Sequence, residues 1–408
     1  MRAVRIGWRT ATLVSFLLVA QADVIASSAQ GGTRYSNQAR REAACSGSWE
    51  VVRSPNSSEF DDQSLLAVSA SGRNDAWAVG FLGSGGAGFI GTLTLHWNGA
   101  SWRVVESPNP TSFFNALYGV VAIAPDDAWA VGSFARSPAH FRERPLSMHW
   151  DGHSWTVVPV ARRGKTVASL SGVDATRSGR VWAVGYSAHE SSGDNRTLVE
   201  SWTGTRWEIV ESPTSRSGIT RLVGVDAINS PKAWAVGVLG HINEGKALAE
   251  RWNGREWTTV PVRSVGTRVS ELDATSARTP ADVWAVGSFQ TGAESFQPLA
   301  EHFDGKGWSV VLTPRVRGTA GLSGVAARSR EDAWAVGAHE VPPGTRPLVE
   351  HWNGVGWTVV PVPRPAGSLA AGLTAIGTNR AHNLWAVGSY QEPVRGVYRT
   401  LIERLCRG

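Results

Sequence analysis

Several residue types that usually signal a particular class of protein are scarce in this sequence. Its 408 residues include two cysteines, two methionines and four lysines. No apolar heptad pattern is sustained, which excludes a coiled coil, and no window carries the apolar stripe of an amphipathic helix. The 45 glycines lack a three-residue period, which excludes collagen, and a hydrophobic fraction of 42% excludes a disordered chain.

The one marked apolar run lies near the N-terminus. Three arginines within the first nine residues precede it, and it extends from Thr10 to Ala20. Ala20-Gln21-Ala22 then offers a small-x-small cleavage site. The run is about half the length of a helix that spans a bilayer. We therefore predict a cleaved signal peptide at 1–22, a flexible segment at 23–44, and a secreted mature protein without a membrane span.

The rest of the chain is dominated by a repeat. The tetrapeptide Trp-Ala-Val-Gly occurs seven times at intervals of 50 to 53 residues, beginning at Trp77, Trp129, Trp182, Trp234, Trp284, Trp334 and Trp385. A segment of the type Leu-x-(Gly/Ala)-Val precedes the tetrapeptide in most units, and an aromatic residue, a Gly-containing turn and a β-branched run follow it. Alternating apolar residues and Asn-Gly or Asp-Gly turns are typical of antiparallel hairpins. Each unit therefore predicts four short strands.

Seven units of four antiparallel strands predict an all-β fold, a seven-bladed β-propeller over residues 45–408. Nineteen of the twenty tryptophans occupy three fixed positions of the unit. A large flat side chain at the same place in every blade is typical of packing between neighbouring sheets, and each should bury roughly 200 Å². The alternative, an aromatic platform for ligands, would need these rings at the surface.

The two chain ends carry complementary parts of one unit. Residues 49–52 match a fourth strand and residues 401–405 match a third strand, so we predict that both ends build the seventh blade and remove an exposed sheet edge. Cys45 and Cys406 both align with the turn between strands three and four. We predict a disulfide between them, as expected in an exported protein. Mass spectrometry of non-reduced peptides tests this, and two free thiols, the alternative, would refute it.

The order of features resembles the Kelch-type propeller repeat, with departures. Trp334–Gly337 and Trp352–Trp357 follow its pattern, although with one glycine in place of the Kelch double glycine. The turn at Asp151–Trp155 is similar to the Asp-box hairpin of sialidase-type propellers, but one residue shorter. The chain is also similar to exported Trp-Ala-Val-Gly repeat proteins of high-GC soil bacteria. These resemblances, over residues 45–406, imply a propeller and transfer no catalytic residue.

Two sets of repeated polar residues could suggest chemistry. The histidines at one third-strand position are His96, His149, His302 and His351, and the glutamates at a neighbouring position are Glu200, Glu250, Glu301, Glu350 and Glu403. Equivalent positions in different blades are too far apart to share a metal ion or to act as an acid–base pair. We therefore expect structural roles for both sets, no metal site and no cofactor.

The connections within the unit divide into two classes. Those between strands two and three, and from strand four to the next strand one, vary in length and content, and they share one face of the predicted disc, called here the variable face. Such loops are where binding function concentrates. The candidate binding residues on this face are Arg136, Phe141, Arg142, Arg144, Arg162, Arg163, Arg196, Arg221, Arg268, Arg317, Arg395, Arg399, Phe113, Phe114, Tyr186 and Tyr390. Arginine with interleaved aromatics suits anionic polymers, although arginine is also simply the preferred solvated cation of this chain.

These features favour a non-enzymatic, monomeric binding module that uses the variable face to hold an extracellular macromolecule, an anionic glycan or a protein. One alternative is a propeller hydrolase or lyase acting on glycans through loop carboxylates such as Glu59, Asp61 and Asp62. Another is a purely structural domain. Nucleic-acid binding is disfavoured because no recognition fold is present.

Overall fold

A computed structural model of the chain describes residues 48–57, 60–84, 88–138, 141–164, 166–176, 178–189, 194–215, 218–228, 232–241, 244–292, 295–378 and 383–405. The predicted signal peptide and flexible segment, and both cysteines, lie outside these residues, so the disulfide stays a prediction. Within them every helix or strand element is a β-strand. No helix in these ranges has the length and apolarity that crossing a bilayer requires.

In the part of the chain that the structure describes, twenty-eight strands form seven four-stranded antiparallel units, called blades 1 to 7. The N-terminal strand is β1 (Trp49–Val52). Blade 1 is β2 (Asp62–Gly72), β3 (Asp75–Ser84), β4 (Phe89–Trp97) and β5 (Trp102–Val105). Blade 2 is β6 (Phe114–Ala124), β7 (Asp127–Ala135), β8 (Arg144–Trp150) and β9 (Trp155–Val157). Blade 3 is β10 (Thr166–Ala175), β11 (Val181–His189), β12 (Asn195–Trp202) and β13 (Trp207–Ile209).

The remaining blades repeat this order. Blade 4 is β14 (Ile219–Ala227), β15 (Ala233–His241), β16 (Glu244–Trp252) and β17 (Trp257–Thr259). Blade 5 is β18 (Ser270–Thr279), β19 (Asp282–Gln290), β20 (Phe296–Phe303) and β21 (Trp308–Val310). Blade 6 is β22 (Ala320–Ser329), β23 (Asp332–Val341), β24 (Gly344–Trp352) and β25 (Trp357–Val359). Blade 7 contains β26 (Ala370–Thr378), β27 (Leu384–Gln391) and β28 (Tyr398–Leu405).

The fourth strand of blade 7 comes from the other end of the chain. Strand β1 pairs antiparallel with β28, with Trp49 opposite Leu405 and Val52 opposite Ile402. The Arg404 guanidinium donates to Oε1 of Glu50 across this pair, at 2.7 and 2.9 Å. The two chain ends therefore contribute to one sheet.

The second-strand tryptophan of each blade packs against aromatic side chains of the following blade. Trp77, for example, lies between Trp150 and Trp155, with ring centroids 4.8 and 4.9 Å away. The other sets are Trp129 with Trp202 and Trp207, Trp182 with Trp252 and Trp257, Trp234 with Phe303 and Trp308, Trp284 with Trp352 and Trp357, Trp334 with Trp49, and Trp385 with Trp97 and Trp102. Core packing of the repeated tryptophans is therefore confirmed, and blade 7 packs against blade 1.

The first strands of the blades are innermost. Neighbouring first strands contact one another around the ring, including β26 with β2. Their backbones approach so closely that a Cβ built on Gly172 of blade 3 would lie 2.6 Å from the carbonyl oxygen of Val223 in blade 4. Small residues in the Leu-x-(Gly/Ala) segment are therefore needed near the central channel.

Candidate functional site

Every innermost strand carries a β-bulge at the same place. The register against the second strand shifts immediately after the leucine of the Leu-x-(Gly/Ala) segment in all seven blades. A bulge adds one unpaired residue and redirects a side chain. All seven added residues line the central channel, and they are Leu66, Tyr118, Ser171, Val223, Asp273, Ser323 and Thr374. The bulges thus place one variable residue per blade in the channel.

The glycine of Trp-Ala-Val-Gly makes room for this bulge. Gly132 pairs with Leu117, and a Cβ built on Gly132 would lie 1.9 Å from the carbonyl oxygen of Ala116. The equivalent distance is between 1.9 and 2.1 Å in every other blade. The bulge therefore turns a backbone carbonyl toward the place that a side chain would occupy on the second strand.

The bulge residues surround a cavity of about 440 Å³ in the channel. This volume lies within the usual range of small-molecule sites, roughly 300–1,000 Å³. Glu143, which directly precedes β8, and Tyr186, near the end of β11, also line the cavity. Glu143 lies in a connection between second and third strands, and Tyr186 lies on the half of β11 that leads into the next such connection, so the cavity lies toward the variable face.

The two sides of the cavity differ in chemistry. Blades 2 to 5 contribute its ionisable and phenolic groups, Tyr118, Glu143, Tyr186, Arg221 and Asp273. Blades 6, 7 and 1 contribute small, hydroxylic or apolar residues, among them Ser323, Gly324, Ala338, Thr345, Gly372, Thr374, Leu66 and Ala67. A nearly symmetric ring thus carries an asymmetric site.

The first part of the polar wall is a network between blades 2 and 3. The Tyr186 hydroxyl donates to one oxygen of Glu143, and the Ser133 hydroxyl donates to the other at 3.0 Å. The Tyr118 hydroxyl lies 3.3 Å from Oγ of Ser133. Burial raises the pKa of both tyrosines, and the neighbouring Glu143 raises each further. Both phenols are therefore neutral hydrogen-bonding groups at physiological pH.

The second part of the polar wall joins blades 4 and 5. Nη2 of Arg221 lies 3.6 Å from Oε2 of Glu271, a side chain that is only 3% exposed. Burial raises the pKa of Asp273 well above its ordinary value, and Glu271 raises it further while Arg221 lowers it. Nε of Arg221 and Oδ2 of Asp273 are buried without a hydrogen-bond partner. Two polar groups at the cavity thus have unused hydrogen-bonding capacity.

The sixteen residues selected from the sequence fall into several environments. Only Arg221 and Tyr186 line the cavity. Eight others are exposed in or next to connections of the variable face, namely Arg136, Arg142, Arg162, Arg163, Arg196, Arg268, Arg317 and Arg395. Arg163 forms an ion pair with Glu211, and Arg144 is half-buried at the start of β8. The variable face, which is the rim of the disc on the cavity side, is therefore rich in arginine.

Three of the selected aromatics form one cluster on the variable face. The ring of Phe141 contacts Phe113 and Phe114 edge-on, with centroids 6.2 and 5.2 Å apart. Phe113 and Phe114 lie where blade 1 leads into blade 2, and Phe141 lies between β7 and β8. All three are half-buried, so part of each ring remains accessible beside the arginines.

Two selected residues have structural contacts. The Arg399 side chain is 9% exposed, and it donates to the carbonyl oxygens of Ser57 and Phe60, at 3.4 and 3.0 Å. It thereby holds the connection between β1 and β2. Tyr390 packs against the hydrophobic cluster between blades 6 and 7. Both side chains thus make contacts that stabilise the fold.

The repeated histidines pair within their own blades. Nε2 lies 2.6 Å from Asp75 for His96, 2.9 Å from Asp127 for His149, 2.9 Å from Asp282 for His302 and 3.1 Å from Asp332 for His351. Each imidazole also packs against the second-strand tryptophan of its blade, at 4.2 to 4.6 Å between centroids. In the described residues, no group of three or more His, Cys, Asp or Glu side chains could hold a metal ion.

The repeated glutamates are fully buried, one in each of five blades. Burial raises the pKa of Glu301 to about 7 and that of Glu200, Glu250, Glu350 and Glu403 to about 8. Leu95 and Met148 occupy the equivalent position in blades 1 and 2, also fully buried. These carboxyl groups are therefore largely protonated core residues.

Sequence reasoning missed Tyr118, Glu143, Glu271 and Asp273. A signal for two of them was present, since Tyr118 and Asp273 occupy the variable position of Leu-x-(Gly/Ala). Comparing that one position across seven units would have shown a residue that changes within an otherwise constant segment. Glu143 lies in a connection and carries no repeated pattern, so nothing in the sequence marked it.

Comparison with known proteins yields structural matches only. No family model and no curated protein sequence matches the chain. A structure titled YCF48 bound to D1 peptide matches with a TM-score of 0.53 at 15% identity, over 88% of this chain and 97% of the other.

Two glycan-active proteins also match. A polysaccharide lyase titled PL25 ulvan lyase has a TM-score of 0.55 at 8% identity, over 84% of this chain and 94% of its own. A GH74 xyloglucanase from Xanthomonas campestris has a TM-score of 0.53 at 10% identity, over 86% of this chain and 55% of its own. At such low identity the likeness concerns the fold alone. This chain is similar to these proteins in having a β-propeller fold.

Proposed function

We propose that this protein is an exported, non-enzymatic binding module that holds an extracellular glycan on its variable face. The end of the glycan enters the channel cavity, and the arginine-rich rim contacts the rest. Membership among the exported Trp-Ala-Val-Gly repeat proteins, which the sequence resembles, is part of this proposal.

The observation that carries the proposal is the asymmetric cavity. A purely structural ring has no need to collect Tyr118, Glu143, Tyr186, Arg221 and Asp273 on one wall. Blades 6, 7 and 1 contribute only small, hydroxylic or apolar residues to the described lining. Hydroxyl, carboxyl and guanidinium groups opposite an apolar wall suit a sugar, which has polar edges and apolar faces. The half-buried Phe cluster on the variable face offers further apolar contact.

The solved structures that share the fold include a peptide-bound protein and glycan-active enzymes. These structural similarities do not distinguish a binding function from a catalytic one. The loop carboxylates considered for an enzyme offer little support, because Oδ1 of Asp62 accepts a hydrogen bond from the Tyr398 backbone at 2.9 Å. Asp62 thus ties blade 1 to blade 7, and Glu59 lies outside the described residues. Binding is therefore the function that we favour.

The test is capture of polysaccharides by the immobilised mature protein at low salt, with dextran, alginate and chitosan as a neutral, an acidic and an amine-bearing probe. We expect at least one to bind, and the variant Y118S to lose at least about tenfold in affinity, or about 1.4 kcal/mol. Serine is the natural residue at this bulge in blades 3 and 6 (Ser171 and Ser323), so Y118S should fold normally.

The matched control is D126N, which changes an exposed residue on the turn between β6 and β7, on the opposite face. It should bind like the wild type. Retention of none of the three polysaccharides, or equal binding by wild type and Y118S, would contradict the proposal.

A further inference from the structure

We propose that the channel cavity binds an ammonium group of its ligand, with Asp273 as the counter-ion and the rings of Tyr118 and Tyr186 beside it. This inference rests on the proposed function and names the chemical class of the ligand, an amine-bearing sugar. It is carried by the charge balance of the cavity and by an unpartnered carboxyl oxygen.

Acidic side chains outnumber basic ones in the polar wall. Among the described residues that line the cavity, Arg221 is the only basic side chain, whereas Glu143 and Asp273 are both acidic. Arg221 also lies 3.6 Å from Glu271, which is almost fully buried, and it lowers the pKa of Asp273. One basic side chain is thus set against three carboxyl groups.

Of the two acidic groups in the lining, Asp273 is the one with an unused hydrogen-bonding atom. Glu143 accepts hydrogen bonds from the hydroxyls of Tyr186 and Ser133. Oδ2 of Asp273 is buried and accepts none. Burial favours the neutral form of Asp273, and a cation supplied by a ligand would stabilise its ionised form. The β-bulge of β18 places this side chain in the channel wall.

Two further carboxyl groups on the innermost strands are held by backbone donors rather than by basic side chains. Asp174 in β10 accepts a hydrogen bond from the Ala227 backbone at 2.7 Å, and Asp226 in β14 accepts one from Ala277 at 2.9 Å. Burial raises the pKa of both, and that of Asp226 is raised further by Asp174. Each bond satisfies the carboxyl group locally but adds no positive charge.

The remaining lining also fits an amine-bearing sugar. The electron-rich faces of tyrosine rings attract cations within about 6 Å of the centroid. Hydroxyl groups of Ser171, Ser323 and Thr345 provide partners for sugar hydroxyls. An anionic sugar, by contrast, would find only Arg221 as a basic partner among the described residues of the lining.

The experiment compares 6-amino-6-deoxy-D-glucose with D-glucose, which differ only by an ammonium in place of a hydroxyl. Calorimetric titration at pH 8 of the mature protein should show at least tenfold tighter binding of the amine. The variants D273N and D273S should lose this preference, and serine is tolerated at the same bulge in other blades. D126N, with the same loss of charge on the opposite face, should keep the preference.

Equal affinity for the two sugars, binding of neither, or a preference that survives in D273N and D273S would overturn the inference. These outcomes are distinct from failure of the proposed function. The module could still capture dextran or alginate through Tyr118, which the polysaccharide experiment detects independently of any amine.

Discussion

The variant G132A is expected to lose at least about 3 kcal/mol of unfolding free energy, or to fail to fold. The added Cβ would lie 1.9 Å from the carbonyl oxygen of Ala116, and the obstacle is backbone rather than a movable side chain. To avoid this clash the β6 bulge would have to straighten, and Tyr118 would then no longer point into the channel. Denaturant unfolding followed by tryptophan fluorescence measures the effect.

The matched control for this substitution is G356A. Gly356 lies in the turn between β24 and β25, where a built Cβ meets nothing within 4 Å. Its stability should stay within about 0.5 kcal/mol of the wild type, as is usual for surface changes. If G132A were equally stable, the bulge would not be the reason for the repeated glycine.

Between pH 5 and 8 we expect the wild-type protein to become less stable as pH rises. The five buried glutamates release their protons in the unfolded chain near the ordinary pKa of 4.5, but in the folded state only at about 7 to 8. The folded state therefore binds more protons in this window, so stability falls as pH increases toward the folded pKa. Thermal unfolding midpoints across this range measure the trend.

The variant E350M should weaken this pH dependence and raise stability at pH 8 by about 1–3 kcal/mol, the usual cost of an unsatisfied buried polar group. Burial alone raises the pKa of Glu350, and both its oxygens lack a hydrogen-bond partner. Methionine fits because Met148 occupies the equivalent position in blade 2.

The control is E331Q, which neutralises an exposed carboxylate in the turn between β22 and β23. It should leave the slope of stability against pH unchanged. If E350M had the same slope as the wild type, or were less stable at pH 8, Glu350 would have a role that burial does not describe.

Much of the architecture was readable because the chain repeats it seven times. Trp334-Ala335-Val336-Gly337 and its six counterparts predicted the strands, and the aromatic spacing predicted the packing between blades. The segment at Trp49 indicated a fourth strand without preceding partners, and it pairs with β28. Repetition made these inferences strong, because each was supported by several independent copies.

The candidate site was predictable only in part. Choosing residues by loop variability selected Tyr186 and Arg221, which line the cavity, together with Arg399, which is buried against the β1–β2 connection. Loop position alone cannot distinguish these cases, because both kinds of arginine follow variable segments. The direction of each side chain depends on the neighbouring blade.

By itself, the sequence determined the strand content, the number of blades and the tryptophans that pack between neighbouring blades. These features follow from local patterns repeated along the chain. Only the tertiary structure decided where the polar groups converge. Tyr118 and Asp273 are 155 positions apart in the sequence, and they line one cavity because the ring brings the bulges of different blades to a common channel. A bulge is an irregularity of strand pairing, so its effect on side-chain direction appears only when the partner strand is in place.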